Sequence, residues 1–301
     1  MKRRIILICI YMLIMTLTSC TLFQSETDTV IDLLPRDSDV PGWEKTNASV
    51  YFKGKNVKMY NREYEGLEIE KLAASVYQSI DNRDIKIKLE VIKFSSILNA
   101  YGFFSVKRGP GIFEISDINA FDDNSISIIQ IGEYAIYSAT DHMDLLLKKD
   151  LKTFSNISLQ YIGQNYLHEK LPSSLNILKG IDGYGVLYSR NPYYKLPLLP
   201  DIYITQWTWN NELIDIFLSE KDSFYDAYKI FKNITGNNNY IMISSDNTYT
   251  AFKKDAEDKY SFISVNDKII FGCWSVSNFK EGKKILGEIK SRIEDYKKIK
   301  E

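Results

Sequence analysis

The fold of this chain is constrained most by a pattern of residues that occurs twice, with the copies 127 positions apart. Residues 87–91 alternate between apolar and charged side chains, and residues 214–218 form a matching β-rich run. The same offset aligns residues 96–104 with residues 223–231, and each segment begins with a serine suited to cap a helix. Each copy is therefore predicted to contain a half-buried strand followed by a short helix. The predicted buried faces of the two helices are Ile97, Ala100, Tyr101 and Phe104, and Phe224, Ala227, Tyr228 and Phe231.

The similarity continues in a predicted hairpin that follows each short helix. Residues 128–137 contain two β-rich runs around a turn at Gly132-Glu133, and residues 262–271 contain two such runs around Asn266-Asp267. An amphipathic helix is predicted to close each copy. Its apolar stripe comprises Leu147, Leu151 and Phe154 in the first copy, and Ile285, Leu286, Ile289, Ile293 and Tyr296 in the second.

Further strands are predicted in front of each copy, at residues 57–60 and 73–77 and at residues 183–188 and 202–207. Strands that cluster together without regular βα alternation favour an α+β fold with a mainly antiparallel sheet. The predicted fold is therefore two related copies of a strand–helix–hairpin–helix unit. Chance similarity between two β-rich halves is the alternative interpretation.

The N-terminus has the features of an export signal. Residues 2–4 are basic, and the apolar run that follows ends at Leu17, which makes it too short to cross a hydrocarbon core of about 30 Å. Leu17-Thr18-Ser19-Cys20 resembles the lipobox of bacterial lipoproteins, in which the cysteine thiol is acylated and the chain is cleaved just before it. The resemblance implies that Cys20 becomes a lipid-carrying first residue. The alternative is that Cys20 is only an apolar residue at the end of a cleaved signal peptide.

Acylation of Cys20 implies a protein that is anchored by lipid such as palmitate to a bacterial membrane. The body would then lie in the periplasm or outside the cell, as part of the cell envelope. Burial of acyl chain contributes about 0.8 kcal/mol per CH₂, so several chains together give a stable anchor. The predicted segments are a signal peptide at 1–19, a lipidated N-terminus and polar spacer at 20–32, a first copy at 33–163, a linker at 164–175 and a second copy at 176–301.

Charge and cysteine content exclude several classes of protein. The formal net charge is −1, with acidic and basic residues interleaved, which gives no electrostatic basis for binding nucleic acid. Cys9 leaves with the signal and Cys20 is acylated, so Cys273 has no intramolecular partner for a disulfide. Cys273 lies in an apolar run and is predicted to be a buried, inert thiol rather than a nucleophile.

A second resemblance is carried by Leu33-Leu34-Pro35, Pro41-Gly42-Trp43, Tyr77, Phe94, Ala100-Tyr101-Gly102-Phe103-Phe104-Ser105 and Lys107-Arg108. It covers residues 33–160 most clearly and the second copy more weakly. It is to an uncharacterised family of bacterial secreted proteins and lipoproteins, a domain of unknown function, which brings no known activity or catalytic residue. Residues 61–66 depart from it, because a richer glycine and alanine content is expected there.

The sequence offers little support for catalysis or for a cofactor. His142 and His168 are the only histidines, and no zinc-binding spacing is present. No Gly-x-Ser-x-Gly motif occurs, and Gly109-Pro110-Gly111 lacks the rest of a phosphate loop. A pair of catalytic carboxylates remains open, although the acids at 122–123 and 255–258 are typical of turns. No catalytic residue, metal or cofactor is predicted.

The best candidate for a binding surface is aromatic. Seven aromatic residues fall within 26 positions, and those at 193–194 lie in the proline-bearing, more exposed part: Tyr184, Tyr188, Tyr193, Tyr194, Tyr203, Trp207 and Trp209. Exposed rings of this kind can contact a partner protein or stack on a glycan. Tyr203, Thr205, Trp207 and Trp209 also share period-2 spacing, so burial on one face of a strand is the alternative.

The function that the sequence favours is that of an exported, membrane-anchored lipoprotein. Its body would be a non-enzymatic binding or structural module of the cell envelope, with an envelope protein or a glycan as partner. The first alternative is capture of a small ligand or glycan in a cleft between the two copies. An envelope hydrolase is a distant third.

Overall fold

The computed structural model describes residues 30–300 apart from 143–144, 164–169, 180, 182–183, 192–194, 238, 246–247 and 256. In this part of the chain, fourteen strands form two seven-stranded sheets with antiparallel pairing, accompanied by five α-helices. The mixed α+β class predicted from the sequence is confirmed. Cys20 and the signal segment lie outside the described residues.

The first sheet contains β1 (Trp43–Lys45), β2 (Val50–Lys53), β3 (Ile69–Ser79), β4 (Lys86–Phe94), β5 (Ile118–Asp122), β6 (Ile126–Ile131) and β7 (Tyr134–Ala139). The second contains β8 (Leu187–Ser189), β9 (Ile202–Trp209), β10 (Glu212–Glu220), β11 (Ile241–Ser245), β12 (Thr248–Lys254), β13 (Tyr260–Asn266) and β14 (Ile269–Val276). The helices are α1 (Val57–Tyr60), α2 (Ile97–Arg108), α3 (Leu145–Ile162), α4 (Phe224–Asn237) and α5 (Phe279–Lys300). Short 3-10 turns occupy Val30–Leu33, Gly54–Asn56, Arg62–Tyr64 and Ser173–Ile177.

The strands of each sheet are joined in a similar order. In the first sheet the order is β1-β3-β4-β7-β6-β5, with β2 also paired to β3. The hairpin β3–β4 leads into α2, and the strands β5 to β7 then return so that β7 pairs with β4. In the second sheet the order is β11-β12-β13-β14-β10-β9-β8. There the hairpin β9–β10 leads into α4, and β14 returns to pair with β10.

Each sheet with its helices forms one half of the molecule. The long helix of each half covers one face of its own sheet. Leu147, Leu151 and Phe154 of α3 are buried against the face of the first sheet that carries Ile87 and Leu89. On α5, the residues predicted to form the apolar stripe pack on the second sheet, and all except the partly buried Tyr296 are buried. Both stripes predicted from helical spacing are therefore confirmed.

One core cluster joins the two halves of the molecule. It contains side chains of α2 with Ile92 and Phe94 of the first sheet, and side chains of α5 with Ile216 and Phe271 of the second. The segment between the halves contributes buried residues to the same cluster, among them Leu178. The opposite face of the second sheet forms a separate core with α4.

The two short helices begin where the sequence predicts. The hydroxyl oxygen of Ser96 accepts a hydrogen bond from the backbone N–H of Asn99 at 3.2 Å, and that of Ser223 accepts one from Asp226 at 3.1 Å. The predicted inner residues Ala100, Tyr101, Phe104, Ala227 and Phe231 are buried. Ile97 and Tyr228 are only half-buried, and Phe224 is 43% exposed.

Two predictions of local structure are wrong. Residues 57–60 form the single turn α1 rather than a strand, which places Val57 in the core and Met59 in solvent. In the second hairpin the turn lies at Asp267-Lys268, one residue later than predicted, because Asn266 still pairs with Ile269. Asp267, the first residue of this turn, has a positive φ of 54°, and Gly132 at the same place in the first hairpin has a φ of 50°.

The strand predicted at residues 183–188 is shorter in the structure. Only Leu187 and Tyr188 of that run lie in β8, and 182–183 are outside the described residues. The strands predicted at 73–77 and 202–207 fall within β3 and β9.

Candidate functional site

A cleft of about 190 Å³, here named the junction cleft, lies where the two halves meet. It is bounded by the 3-10 turn and loop before β3, by one side of α2, and by β8 with the residues that follow it. Its walls therefore come from both halves of the chain. The lining residues are Glu63, Tyr64, Gly66, Leu67, Asn99, Gly102, Phe103, Val106, Lys107, Tyr188, Ser189, Arg190 and Asn191.

The floor of the cleft forms because α2 packs closely against β8. Gly102 has no side chain, and a Cβ atom there would lie 2.8 Å from Cδ1 of Tyr188. Two hydrogen bonds fix the approach: the backbone N–H of Tyr188 donates to Oγ of Ser105 at 3.1 Å, and the hydroxyl of Tyr101 donates to the carbonyl of Val186 at 2.6 Å. A glycine in this helix is thus required by the contact between the halves.

The wall opposite α2 is the loop at residues 61–67. The side chain of Asn61 accepts the backbone N–H of Glu63 at 3.0 Å and starts the 3-10 turn, and Gly66 ends the loop with a φ of 83°. Tyr64 points inward from this turn and is buried. Its ring meets the ring of Phe103 edge-on, with centroids 5.7 Å apart.

Behind Tyr64 lies a carboxylate that is fully buried in the first sheet. Glu90 of β4 accepts the hydroxyl of Tyr60 at 2.8 Å and, through its other oxygen, the hydroxyl of Tyr64. The ammonium of Lys88 lies 2.6 Å from the first oxygen. Both oxygens of this buried charge therefore have partners, as a carboxylate out of water requires.

The alternation at residues 87–91 predicts that Glu90 faces solvent, and this is wrong. The face that carries Glu90 is covered by α1 and the 61–67 loop, whose tyrosines reach down to the carboxylate. At the position aligned with Glu90, the second half has Phe217, which is also fully buried.

Burial and the Glu90 carboxylate raise the pKa of both tyrosine hydroxyls. For Tyr60 and Tyr64 burial is the larger cause, and the neighbouring charge of Glu90 is the next. The same two causes raise the pKa of Tyr137. The Tyr60 and Tyr64 hydroxyls remain protonated at neutral pH and act as hydrogen-bond donors to Glu90, so they are not bases or nucleophiles.

The charged groups at the rim of the cleft are paired with each other. Lys107 Nζ lies 3.7 Å from Oε2 of Glu63, and the guanidinium of Arg190 forms an ion pair with Glu68. Glu68 also accepts from Nδ2 of Asn99 at 3.3 Å. The ammonium of Lys107 lies over three aromatic rings, including that of Tyr64 at 5.9 Å from its centroid.

Of the aromatic residues predicted as a binding surface, Tyr188 lines this cleft, and Trp207 and Trp209 do not. Tyr193 and Tyr194 lie outside the described residues, directly after the cleft residue Asn191 in sequence. Trp207 and Trp209 are half-buried on β9 and pack against the shared core, with their rings edge-to-face at 4.8 Å. The indole N–H of Trp209 donates to Glu281 of α5 at 2.8 Å.

The other residues that the sequence offered as metal ligands, nucleophiles or catalytic carboxylates lie in surroundings that do not form a reactive site. The ring of His142 is exposed and lies 3.1 Å from the carbonyl of Asp84, and His168 lies outside the described residues. Cys273 is fully buried, which raises its pKa. Asp123 and Asp255 accept backbone N–H groups within their own turns. Across the described residues, no group of three His, Cys, Asp or Glu side chains comes together as a metal site would require.

Among the residues that build the cleft, the sequence singled out only Tyr188 as a candidate contact. Gly102, inside a predicted helix, was the available signal, since such a glycine often marks a close approach of another segment. Tyr64 and Arg190 carry no comparable signal, because their roles depend on contacts between parts of the chain distant in sequence.

Among the described residues, no helix is long and apolar enough to span a membrane. Comparison with known protein families, with curated proteins and with solved structures finds no match to this chain. The site must therefore be interpreted from its own geometry.

Proposed function

We propose that this chain is an exported lipoprotein, acylated at Cys20, whose body is a non-enzymatic module that binds a small ligand in the junction cleft. The observation that carries the binding role is the cleft itself, formed by both halves around apolar side chains. Ligand sites are typically concave and mostly apolar, with a few polar groups, and often lie between structural units. Because the tyrosine hydroxyls are held as donors and the rim charges are paired, binding is favoured over hydrolysis.

The two halves are further proposed to be copies of one unit. The supporting observations are the similar strand order, the serine caps at Ser96 and Ser223, and the positive φ of Gly132 and Asp267 at the same place in the two hairpins. If the halves are copies of one unit, the cleft lies at the place where the two copies pack together. Gly102 aligns with Lys229 at the same offset, so only the first copy has the small residue that admits Tyr188.

The binding role is tested by native mass spectrometry of protein purified from its own membranes. A bound compound is expected in wild type and is expected to be absent from Val106→Trp, which fills the cleft from a residue that is 63% exposed. The control is Ile112→Trp, at a residue 81% exposed outside the cleft lining, which should retain the compound. No bound compound in wild type, or equal retention by both variants, would contradict the proposal.

The anchor is tested separately with labelled fatty acid. Incorporation is expected in wild type and in Cys9→Ala, whose altered cysteine lies in the apolar run of the signal, and it should vanish in Cys20→Ala. Equal labelling of Cys20→Ala and wild type would exclude acylation at this position. A body that stayed with the membrane fraction without Cys20 would exclude the lipid as its main attachment.

A further inference from the structure

The exposed surface inside the junction cleft is mostly apolar. Tyr64, Leu67, Phe103 and Tyr188 contribute ring or aliphatic carbon, and Val106 projects from a largely buried helix with 63% of its surface exposed. The polar ends of the two tyrosines are directed to other partners. The hydroxyl of Tyr64 donates to Glu90, and that of Tyr188 donates to Asp201 at 2.8 Å. A ligand in the cleft therefore meets the carbon of these rings, and their hydroxyls are already engaged.

The cleft is also balanced in charge. Its cations Lys107 and Arg190 are each paired with a carboxylate, Glu63 and Glu68 respectively. A charged ligand would have to break one of these pairs or lose its own hydration against an apolar wall. A sugar would lose hydration at several hydroxyls, with the carboxamides of Asn99 and Asn191 as the neutral polar side chains besides Ser189 at the rim.

The volume of the cleft matches a small ligand. A cavity of about 150 Å³ lined by apolar side chains holds a benzene molecule. A cleft of about 190 Å³ therefore has room for one six-membered ring with a small substituent.

We propose that the ligand of the junction cleft is a small, uncharged aromatic molecule with a single ring and at most one small polar substituent. This assignment rests on the proposed binding function and specifies its ligand class. The ring would lie against Val106 and between the rings of Tyr64 and Tyr188, with its substituent toward the carboxamide of Asn191 at the rim.

The test is calorimetric titration of the full-length lipoprotein in lipid nanodiscs, with empty nanodiscs subtracted. The probes are p-cresol, benzoate, benzylamine and glucose at neutral pH. We expect p-cresol to bind about tenfold more tightly, or better, than each of the others. Equal or tighter binding of benzoate, benzylamine or glucose would overturn the assignment of an uncharged ring.

A pair of variants locates the binding. Val106→Asp places a charge on the cleft wall at an exposed position, and it should weaken p-cresol binding about tenfold or more. Leu145→Asp changes an equally apolar residue that is 74% exposed on α3, and it should leave the affinity unchanged. Circular dichroism verifies that both variants are folded. An unchanged affinity in folded Val106→Asp would place the p-cresol outside this cleft and overturn the proposal.

A further titration distinguishes a free aromatic ligand from a peptide side chain, and comparison with native mass spectrometry distinguishes failure of the ring assignment from failure of the binding function. The uncharged peptide acetyl-Gly-Tyr-Gly-amide should bind no more tightly than p-cresol, and binding more than about tenfold tighter would identify a peptide side chain as the occupant instead. If no probe binds but native mass spectrometry finds a compound that Val106→Trp loses, the ring assignment fails and the binding function stands. If no probe binds and no compound is found, both fail.

Discussion

Tyr64 donates its hydroxyl to the fully buried carboxylate of Glu90, while its ring forms part of the wall of the junction cleft. One side chain thus connects the interior of the first sheet to the surface where the halves meet. The position of the cleft wall depends on a hydrogen bond that lies behind it. This relationship makes the stability of the first half and the shape of the cleft interdependent.

Removal of the Tyr64 hydroxyl should destabilise the protein measurably. Tyr64→Phe leaves one oxygen of Glu90 without this buried donor, so we expect the free energy of unfolding to fall by about 1–3 kcal/mol. Urea denaturation measures the change. Tyr161→Phe is the control, since it removes a similar bond to Asp39 of 2.7 Å at an exposed site, where about 0.5 kcal/mol or less is expected. Equal losses in the two variants would contradict the structural role of Glu90.

The stability of the protein should fall above about pH 10. The pKa of Tyr64 is raised from its ordinary value of 10.0, and so is that of Tyr60. Between the ordinary and the raised pKa, the unfolded chain loses these protons and the folded chain keeps them. The unfolded state then binds fewer protons, so the free energy of unfolding decreases as pH rises.

Denaturation curves collected from pH 8 to pH 11 measure this dependence. Each such tyrosine contributes a slope of about 1.4 kcal/mol per pH unit above its unfolded pKa. Tyr64→Phe should therefore show a shallower decline than wild type, and Tyr225→Phe, at a residue 71% exposed, should decline as wild type does. Identical slopes for wild type and Tyr64→Phe would show that the Tyr64 hydroxyl is not protected by folding.

Alanine in place of the glycine between the halves should lower the free energy of unfolding. Alanine in place of a glycine that has open space around it should raise it. In Gly102→Ala the new Cβ would lie 2.8 Å from Tyr188, so the junction must open and the free energy of unfolding should fall by about 1–3 kcal/mol. Gly287→Ala, in α5, meets nothing within 4 Å and should stabilise the protein by up to about 1 kcal/mol. Thermal denaturation compares the two. A neutral Gly102→Ala would mean that α2 and β8 are not in contact.

The thiol of Cys273 should be inaccessible until the protein unfolds. Its side chain is fully buried, and burial raises its pKa, so little reactive thiolate is present. A maleimide should label no cysteine of the mature folded protein and one cysteine in denaturant, because the sulfur of Cys20 carries lipid in the proposed form. Labelling of the folded protein would contradict the burial of Cys273. A second labelled cysteine in denaturant would contradict the acylation of Cys20.

Local patterns in the sequence predicted the elements that depend on local causes. The helix starts at Ser96 and Ser223 were found because a serine cap acts within one turn of its own chain. The stripes of α3 and α5 were found because each packs on its own sheet through a single face.

The errors arise where distant segments decide the outcome. Glu90 has the pattern of a solvent-facing residue and is buried because α1 and the 61–67 loop cover it. Residues 57–60 have the composition of a short strand, but they form the single turn α1, with Val57 in the core. The cleft could not be predicted because it requires α2, a loop before β3 and β8 to meet, and their positions follow from the packing of two sheets. Only Gly102 indicated that another segment approaches the helix closely.

The central claim, that the junction cleft is the binding site of this protein, is tested most directly by soaking its crystals with a library of small fragments. The claim predicts that bound fragments concentrate between α2, the 61–67 loop and β8, in contact with Val106 and Tyr188. Single-ring, uncharged fragments should predominate there. Fragments that gather at another surface and leave this cleft empty would contradict the account.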